Sequence, residues 1–290
     1  MSKLWLAPML LAVPSVVGAQ MPDFSIVTDI RAGLHFSEGD MRPRMYDPFG
    51  RISTVTLSLL FDGFYRLSLS ERFTRIPGDT SSNLLEHLYL ELPGVWRLGQ
   101  IDPKFGRGWL VREHGLGGEF TTHLLIDNLP ITISAVDNGG QHVRAISARV
   151  GGKVGVSFAT GKNMAASGTS LVAIRRPEKA PGVGRGYQTV FGMDASSTWH
   201  GVRGQFEYVG LRNGATSLDV PEDILDFELS YQRDTNSTQY RLGYARALQG
   251  RSDHLRGEVE VPVDLKLSLT GQYRLDAGRS LIAIGIHFKF

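Results

Sequence analysis

Cysteine is absent from the 290-residue sequence, and long hydrophobic runs are nearly absent as well. Without cysteine the chain can form neither a disulfide nor a lipid-modified cysteine anchor. After residue 19 no apolar run approaches the roughly 18 residues of a membrane-spanning helix, which excludes a helical membrane protein. A formal net charge of +2 is too small to indicate a nucleic-acid partner. Any membrane crossing must therefore use β-strands.

The N-terminus has the features of a secretory signal peptide. Lys3 is followed by an apolar stretch from Leu4 to Val13 and by small residues that end at Ala19. Because the apolar stretch is too short to span a membrane, we expect cleavage after Ala19 rather than an N-terminal anchor. The expected organisation is a signal peptide, residues 1–19, that directs Sec-dependent export, followed by one domain, residues 20–290.

Bulky apolar residues alternate with small or polar ones at the C-terminus. The apolar set there is Ile282, Ile284, Ile286, Phe288 and Phe290. A period of two is typical of a strand whose faces meet different surroundings. Similar stripes recur along the chain, with too few helices to cover them, so we predict that the apolar faces contact lipid. The fold prediction is all-β, a transmembrane antiparallel barrel.

The rhythm of the connections predicts the topology. We count sixteen strands, within a range of fourteen to eighteen, and two of them are predicted at Glu119–Asp127 and Leu265–Arg274. Short connections such as Asp62-Gly63 alternate with longer ones such as 37–50 and 161–186. This alternation is typical of barrels with tight periplasmic turns, longer outside loops and both termini in the periplasm. A barrel of roughly sixteen strands is wide enough for an aqueous channel.

The signal peptide, the strand rhythm and the terminal aromatics Phe288 and Phe290 together resemble Gram-negative outer-membrane β-barrel proteins. The resemblance implies contact with outer-membrane lipid and recognition of the C-terminal strand by the barrel-assembly machinery. Residues 98–108 also resemble the strand-to-loop passage G-Q-x-x-P-x-F-G of the phosphate-selective porin group. A plainer interpretation of this passage is a Gly-Pro bend with Phe105 packed on the barrel wall.

The resemblance to sixteen-stranded porins also implies a constriction. In such porins the third outside loop, here residues 102–118, folds inward and narrows the pore. The candidate constriction residues in it are Lys104, Arg107, Arg112 and Glu113. The longest loop, 161–186, contains Arg175, Arg176 and other basic residues that could bind an anionic ligand, with a solvated loop as the alternative.

Strand parity assigns charged residues to the lumen. The basic set is Arg31, Arg66, Arg72, Arg97, Lys266 and Arg274, and the acidic set is Asp226, Glu228, Glu258 and Glu260. A basic wall facing an acidic wall would create a field across the pore and select ions. The alternative is that these charges are solvated or paired across strands.

No G-x-S-x-G, H-E-x-x-H or metal-spaced cluster is present, so we predict neither enzymatic activity nor a cofactor. The predicted function is a porin-like channel for passive diffusion of small polar solutes, with a mild anion preference. One alternative is a structural or adhesive barrel. Another is an outer-membrane enzyme that assembles Ser, His and a carboxylate from separate strands. The sequence leaves open which solute passes and whether the barrels form a homotrimer.

Overall fold

The computed structural model describes residues 23–46, 51, 53–73, 84–101, 104–106, 115–124, 128–137, 144–162, 187–213, 222–234, 236–248, 252–276 and 279–290. These residues form seventeen strands: β1 (Asp23–Ser37), β2 (Asp40–Arg44), β3 (Thr54–Phe61), β4 (Tyr65–Arg72), β5 (Leu85–Leu92), β6 (Trp96–Ile101), β7 (Gly115–His123), β8 (Pro130–Asp137), β9 (Arg144–Gly151), β10 (Val154–Lys162), β11 (Tyr187–Trp199), β12 (Val202–Asn213), β13 (Glu222–Tyr231), β14 (Gln239–Ala247), β15 (Ser252–Pro262), β16 (Leu267–Asp276) and β17 (Arg279–Lys289). No helix in these ranges is long and apolar enough to cross a membrane.

Sixteen of the strands close into one antiparallel barrel, as predicted. From β3 to β17 each strand pairs with its neighbours in sequence, and β17 closes the ring by pairing with β1. The short strand β2 lies within the predicted connection 37–50 and pairs with the C-terminal part of β1, residues 33–37. The strand β3 pairs with the N-terminal part of β1, residues 23–29. The strand β1 therefore has two successive partners along the same edge.

The two rims of the barrel differ in their connections. At one rim the turns are short: between β3 and β4 the Phe64 N–H donates to the carbonyl oxygen of Phe61 at 3.0 Å, and Asp62 and Gly63 adopt φ of 51° and 69°. This is the odd-length turn that a shared face for Phe61 and Tyr65 requires. We call this the turn rim and the opposite one the loop rim. Residues 23 and 290 both lie at the turn rim.

The outer and inner faces of the wall differ in polarity. On β17, Ile282, Ile284 and Ile286 point outward, and the Ile284 side chain is 62% exposed. The alternate residues Ala283 and His287 point into the barrel. Exposed isoleucines and leucines recur on the outer face of the other strands. Such a continuous apolar surface requires an apolar solvent, which is lipid.

The two strands predicted at Glu119–Asp127 and Leu265–Arg274 have different bounds in the structure. The strand β7 begins at Gly115, not at Glu119, because its glycines hide the alternation; a Cβ at Gly117 would lie 1.9 Å from the carbonyl oxygen of Ala135. The strand β16 begins at Leu267, not at Leu265. The residues before Leu267 form a turn in which Asp264 Oδ1 accepts the N–H of Leu267 at 2.8 Å.

Candidate functional site

The third-loop residues 104–106 lie inside the barrel against the middle of its wall. Three inward-facing serines on consecutive strands β8, β9 and β10 hold their backbone. The hydrogen bonds are Lys104 N–H to Ser134 Oγ at 3.2 Å, Ser147 Oγ to the Lys104 carbonyl oxygen at 3.4 Å, and Gly106 N–H to Ser157 Oγ at 2.9 Å. A small hydroxyl side chain lets a second layer of backbone approach the wall while its polar groups stay satisfied.

Phe105 fixes this segment by packing between strands. Its side chain is 1% exposed, and a Cβ at Gly192 on β11 would lie 2.8 Å from its ring. Gly106 has φ of 53°, and a Cβ there would lie 2.1 Å from the Glu207 carboxylate on β12. Glycine at both positions therefore allows the segment to lie flat on the wall. The other candidate constriction residues, Arg107, Arg112 and Glu113, lie outside the described residues.

The inner face above this segment, toward the loop rim, is apolar and packed. The inward residues of neighbouring strands there are at most 5% exposed: Val136, Ala159, Val190, Val209 and Ile224. Parity alone did not predict an apolar patch on the inner face.

A second segment, which the sequence did not predict, enters the barrel between β2 and β3. On one edge, β1 pairs with β3 up to Asp29 and with β2 from Gly33 onward. Between them the strand pairing is interrupted at Arg31, whose backbone hydrogen-bonds the Ser53 hydroxyl instead. Ser53 Oγ accepts the Arg31 N–H at 2.8 Å and lies 2.9 Å from the Arg31 carbonyl oxygen and 2.8 Å from that of Met45. Ser53 is fully buried.

We call the connection from β1 to β3, which contains β2, the first loop. Its residues Tyr46 and Arg51 contact the inner wall near the junction of β1 and β17, where the barrel closes. The Tyr46 ring meets His35 of β1 edge-on, with 5.4 Å between ring centroids. The Arg51 guanidinium donates to the Glu258 carboxylate on β15. Between these contacts lies a small hollow with Gly33, Ala283 and Gly285 among its lining residues.

Charged side chains on the inner wall form ion pairs, most of them between strands and two of them, Arg31–Asp29 and Arg274–Asp276, within one strand. The ion pairs are Arg31–Asp29 at 3.1 Å, Arg66–Glu91 at 3.2 Å, Arg72–Glu86 at 3.6 Å, Arg97–Glu119 at 2.8 Å, Arg256–Asp226 at 2.7 Å, Arg256–Glu228 at 3.3 Å, Arg241–Glu258 at 2.9 Å, His287–Glu260 at 2.8 Å and Arg274–Asp276. The predicted division into a basic wall and an acidic wall is therefore wrong, and the pairing alternative describes the interior. Within the described ranges no group of three or more His, Asp or Glu side chains is arranged to hold a metal ion.

Lys266 is the one predicted lumen charge whose side chain the structure places elsewhere. It lies in the turn before β16, and its ammonium is 3.6 Å from the centroid of the Phe290 ring. Phe290 stacks on Phe288, an outward-facing residue of β17. The prediction failed because the alternating pattern was extended two residues too far into the turn.

Among the pairs that span an intervening strand, two depend on a glycine: Arg149–Asp194 and Arg256–Asp226. Arg149 on β9 makes a bidentate contact with Asp194 on β11, at 3.0 and 2.7 Å, across Gly155 on β10. A Cβ at Gly155 would lie 2.4 Å from the arginine nitrogen and 2.8 Å from the carboxylate. Gly243 on β14 likewise leaves room for Arg256, because a Cβ at Gly243 would lie 2.4 Å from the Arg256 Nε. An inward glycine between opposite charges on flanking strands is the sequence signal that could have revealed these pairs.

In several pairs the carboxylate lies beneath the arginine. The Glu258 side chain is 1% exposed, whereas its partners Arg51 and Arg241 are 30% and 26% exposed. Asp226 is 2% exposed under Arg256, which is 22% exposed. Asp29 beside Arg31 shows the opposite arrangement. At the layered pairs the surface that faces the lumen is mainly guanidinium.

A closed antiparallel barrel with an apolar outer face and a charged inner face defines a transmembrane barrel protein. No family model matches the chain, and no curated protein sequence matches it. Among solved structures it is similar to the trimer form of OmpT, an outer-membrane protein of Vibrio cholerae, with TM-score 0.61, 12% identity, and 93% of this chain and 100% of that chain covered. It is equally similar to the anion-selective porin from Comamonas acidovorans, with TM-score 0.61, 12% identity and coverage of 93% and 100%. The outer-membrane channel DcaP of Acinetobacter baumannii gives TM-score 0.60, 11% identity and coverage of 93% and 98%.

The chain therefore has the fold of outer-membrane porins, which confirms the resemblance drawn from its sequence.

Proposed function

We propose that the protein is an outer-membrane channel through which small polar solutes diffuse passively, with a mild preference for anions. The porin fold and a barrel of this width support the channel. In this proposal the signal peptide is cleaved after Ala19, and the turn rim with both termini lies in the periplasm. No cofactor takes part, and the chain acts as a channel rather than as an enzyme.

The layering of charge on the inner wall supports the anion preference. A solute in the lumen meets the exposed guanidinium groups of Arg51, Arg241 and Arg256 before it meets the carboxylates buried under them. Coulomb energy falls with distance, and water in the lumen screens the deeper charge further. Formal charge is balanced here, because Glu258 has two arginine partners, Arg51 and Arg241, while Arg256 has two carboxylate partners. The preference therefore rests on the layering. Arginines that are already held by a carboxylate remain able to attract an anion weakly and release it, which passive conduction needs.

The proposed constriction on the third-loop side includes Lys104, Arg107, Arg112 and Glu113. Lys104 supports this assignment because its backbone is bound to the wall by Ser134 and Ser147 while its side chain is exposed. A charge at a fixed place in the narrow section acts on every ion that passes.

Conductance across planar lipid bilayers tests the function. Stepwise channel openings are expected, with a reversal potential in a salt gradient on the anion-selective side. K104E is expected to shift the reversal potential toward cations. K266E is the matched control, because it makes the same charge change outside the lumen and should leave the reversal potential unchanged. Absence of any channel would overturn the proposal and favour a structural or adhesive barrel, whereas hydrolysis of lipid or peptide would favour an enzyme.

The proposed partners are lipid on the outer face and the barrel-assembly machinery at the C-terminal strand. Phe288 and Phe290 stand at the end of that strand, where Phe290 exchanges backbone hydrogen bonds with Thr28 at 2.9 and 2.7 Å. A homotrimer is the assembly named for the Vibrio cholerae OmpT structure. Chemical cross-linking in membranes would show whether this chain assembles in the same way.

A further inference from the structure

We propose that the first loop supplies a second constriction element, so that the narrow part of the pore lies between the third-loop residues 104–106 and the first-loop residues Tyr46 and Arg51. The inference rests on the proposed channel function. It assigns a selectivity role to Arg51, which the wall alone and the third loop alone would not provide.

The two segments lie on nearly opposite sides of the barrel. Residues 104–106 contact the inner face of β8 to β12, centred on β10. Tyr46 and Arg51 contact the inner face from β15 to β1, centred between β16 and β17. In the ring of sixteen strands this centre is six to seven steps from β10, and eight steps would be diametrically opposite.

Both segments also lie at similar depth. Ser157, which binds the third-loop backbone, is the fourth residue of β10 counted from the turn rim. Glu258, which binds Arg51, is the fifth residue of β15 counted from the same rim. A solute that travels along the barrel axis therefore meets the two segments at about the same level.

The first-loop residues are held to the wall at more than one point. Ser53 fixes the chain to β1, and Tyr46 packs on His35. Arg51 binds the Glu258 carboxylate, which also accepts hydrogen bonds from Arg241 and Gln272. Release of Arg51 would leave the buried Glu258 carboxylate with Arg241 and Gln272 alone, so the ion pair favours the bound position of Arg51. Arg51 is nevertheless partly exposed, so its guanidinium both anchors the segment and presents positive charge to the lumen.

The inner wall carries small residues where this segment covers it. Gly33 and Gly285 face each other on β1 and β17, and Ala283 follows on the same face. A Cβ at Gly285 would lie 2.6 Å from the carbonyl oxygen of Ala32. The absence of side chains here leaves room for first-loop residues to lie inside the barrel without closing it.

The absence of native cysteine allows a direct test by single-cysteine labelling in planar bilayers. R51C is treated with an anionic and then, in a separate experiment, with a cationic methanethiosulfonate reagent. We expect both reagents to lower single-channel conductance, and the anionic one to shift the reversal potential toward cations. The control is R42C on β2, at the loop rim of the same loop, where the native side chain is 63% exposed. Labelled R42C should conduct like the unlabelled protein.

The outcomes separate this inference from the channel function. Labelled R51C with unchanged conductance and reversal potential would overturn the second constriction and leave the channel intact. Absence of channels in the wild-type protein would overturn the proposed function itself. If R51C fails to fold, Y46A decides, because it keeps the Arg51–Glu258 pair. We expect Y46A to raise single-channel conductance with little change in selectivity, and unchanged conductance would overturn the inference.

Discussion

Replacing Gly155 by alanine tests whether glycine is required between paired charges on the inner wall. The added Cβ would lie 2.4 Å from a guanidinium nitrogen of Arg149 and 2.8 Å from Oδ2 of Asp194. Contacts this short require one partner to move. Because Asp194 is 0% exposed and Arg149 is 9% exposed, neither side chain can turn to bulk water without disturbing its neighbours.

The expected cost follows from the loss of this pair. Breaking a buried ion pair destabilises by roughly 3–5 kcal/mol when one charge is left unpaired. Arg149 keeps its hydrogen bonds to the carbonyl oxygens of Gly151 and Gly152, at 2.6 and 3.2 Å, so the lower end applies. We expect G155A to lower the free energy of unfolding by about 3 kcal/mol.

The assay is equilibrium unfolding in urea of the protein refolded into lipid vesicles, followed by heat-modifiable mobility on gels. The matched control is G257A, on a strand interior where an added Cβ would meet nothing within 4 Å. That change should be neutral or stabilise by about 0.5 kcal/mol. In an R149A background, G155A should add a smaller further cost, because only the 2.8 Å contact with Asp194 remains and that carboxylate has already lost its arginine. Equal stability of G155A and G257A, or an undiminished cost in the R149A background, would refute the reasoning.

Three further results are expected from the same preparations. G243A should destabilise the barrel by about 2 kcal/mol or more relative to G257A in the urea assay, because it displaces an arginine from a buried carboxylate; a smaller difference would show that the arginine has another way to pair. I284R, at mid-height on the outer face, should cost roughly 2–4 kcal/mol in that assay, and a negligible cost would mean that this face does not contact lipid. F290A should reduce the fraction of heat-modifiable protein in membranes, and normal assembly would contradict a role for the terminal aromatic residue.

The fold could be predicted from the sequence because a barrel between lipid and water imposes a period of two on every strand. Where that period was clear, as from Ile282 to Phe290, the prediction of the outer and inner faces was confirmed. It failed where glycine replaced the bulky residue, as at the start of β7, and where a turn prolonged the alternation, as at Lys266. Strand β2 was not predicted because its five residues are too few to show a period of two.

The contacts inside the barrel were harder to predict. The alternation along a strand shows which face a side chain lies on, but it does not show which other side chain it contacts. Arg256 lies two residues from Glu258 on its own strand, yet it reaches over Gly243 to Asp226 on β13. The inward course of the first loop had no local sequence signal, since Tyr46 and Arg51 are ordinary loop residues until Glu258 and His35 are placed near them. The contact between Arg51 and Glu258 joins residues 207 positions apart, and it depends on closure of the barrel.

The position of the first loop has a consequence for how the channel is made. Tyr46 and Arg51 belong to the part of the chain that leaves the ribosome early, but Glu258 and the residues of β16 and β17 beside them are made last. Their shared site spans the junction between β1 and β17, so it does not exist until the end of the chain has joined its beginning. An unfinished barrel would therefore lack the proposed first-loop constriction, and the proposed selectivity would arise only once β17 has joined β1.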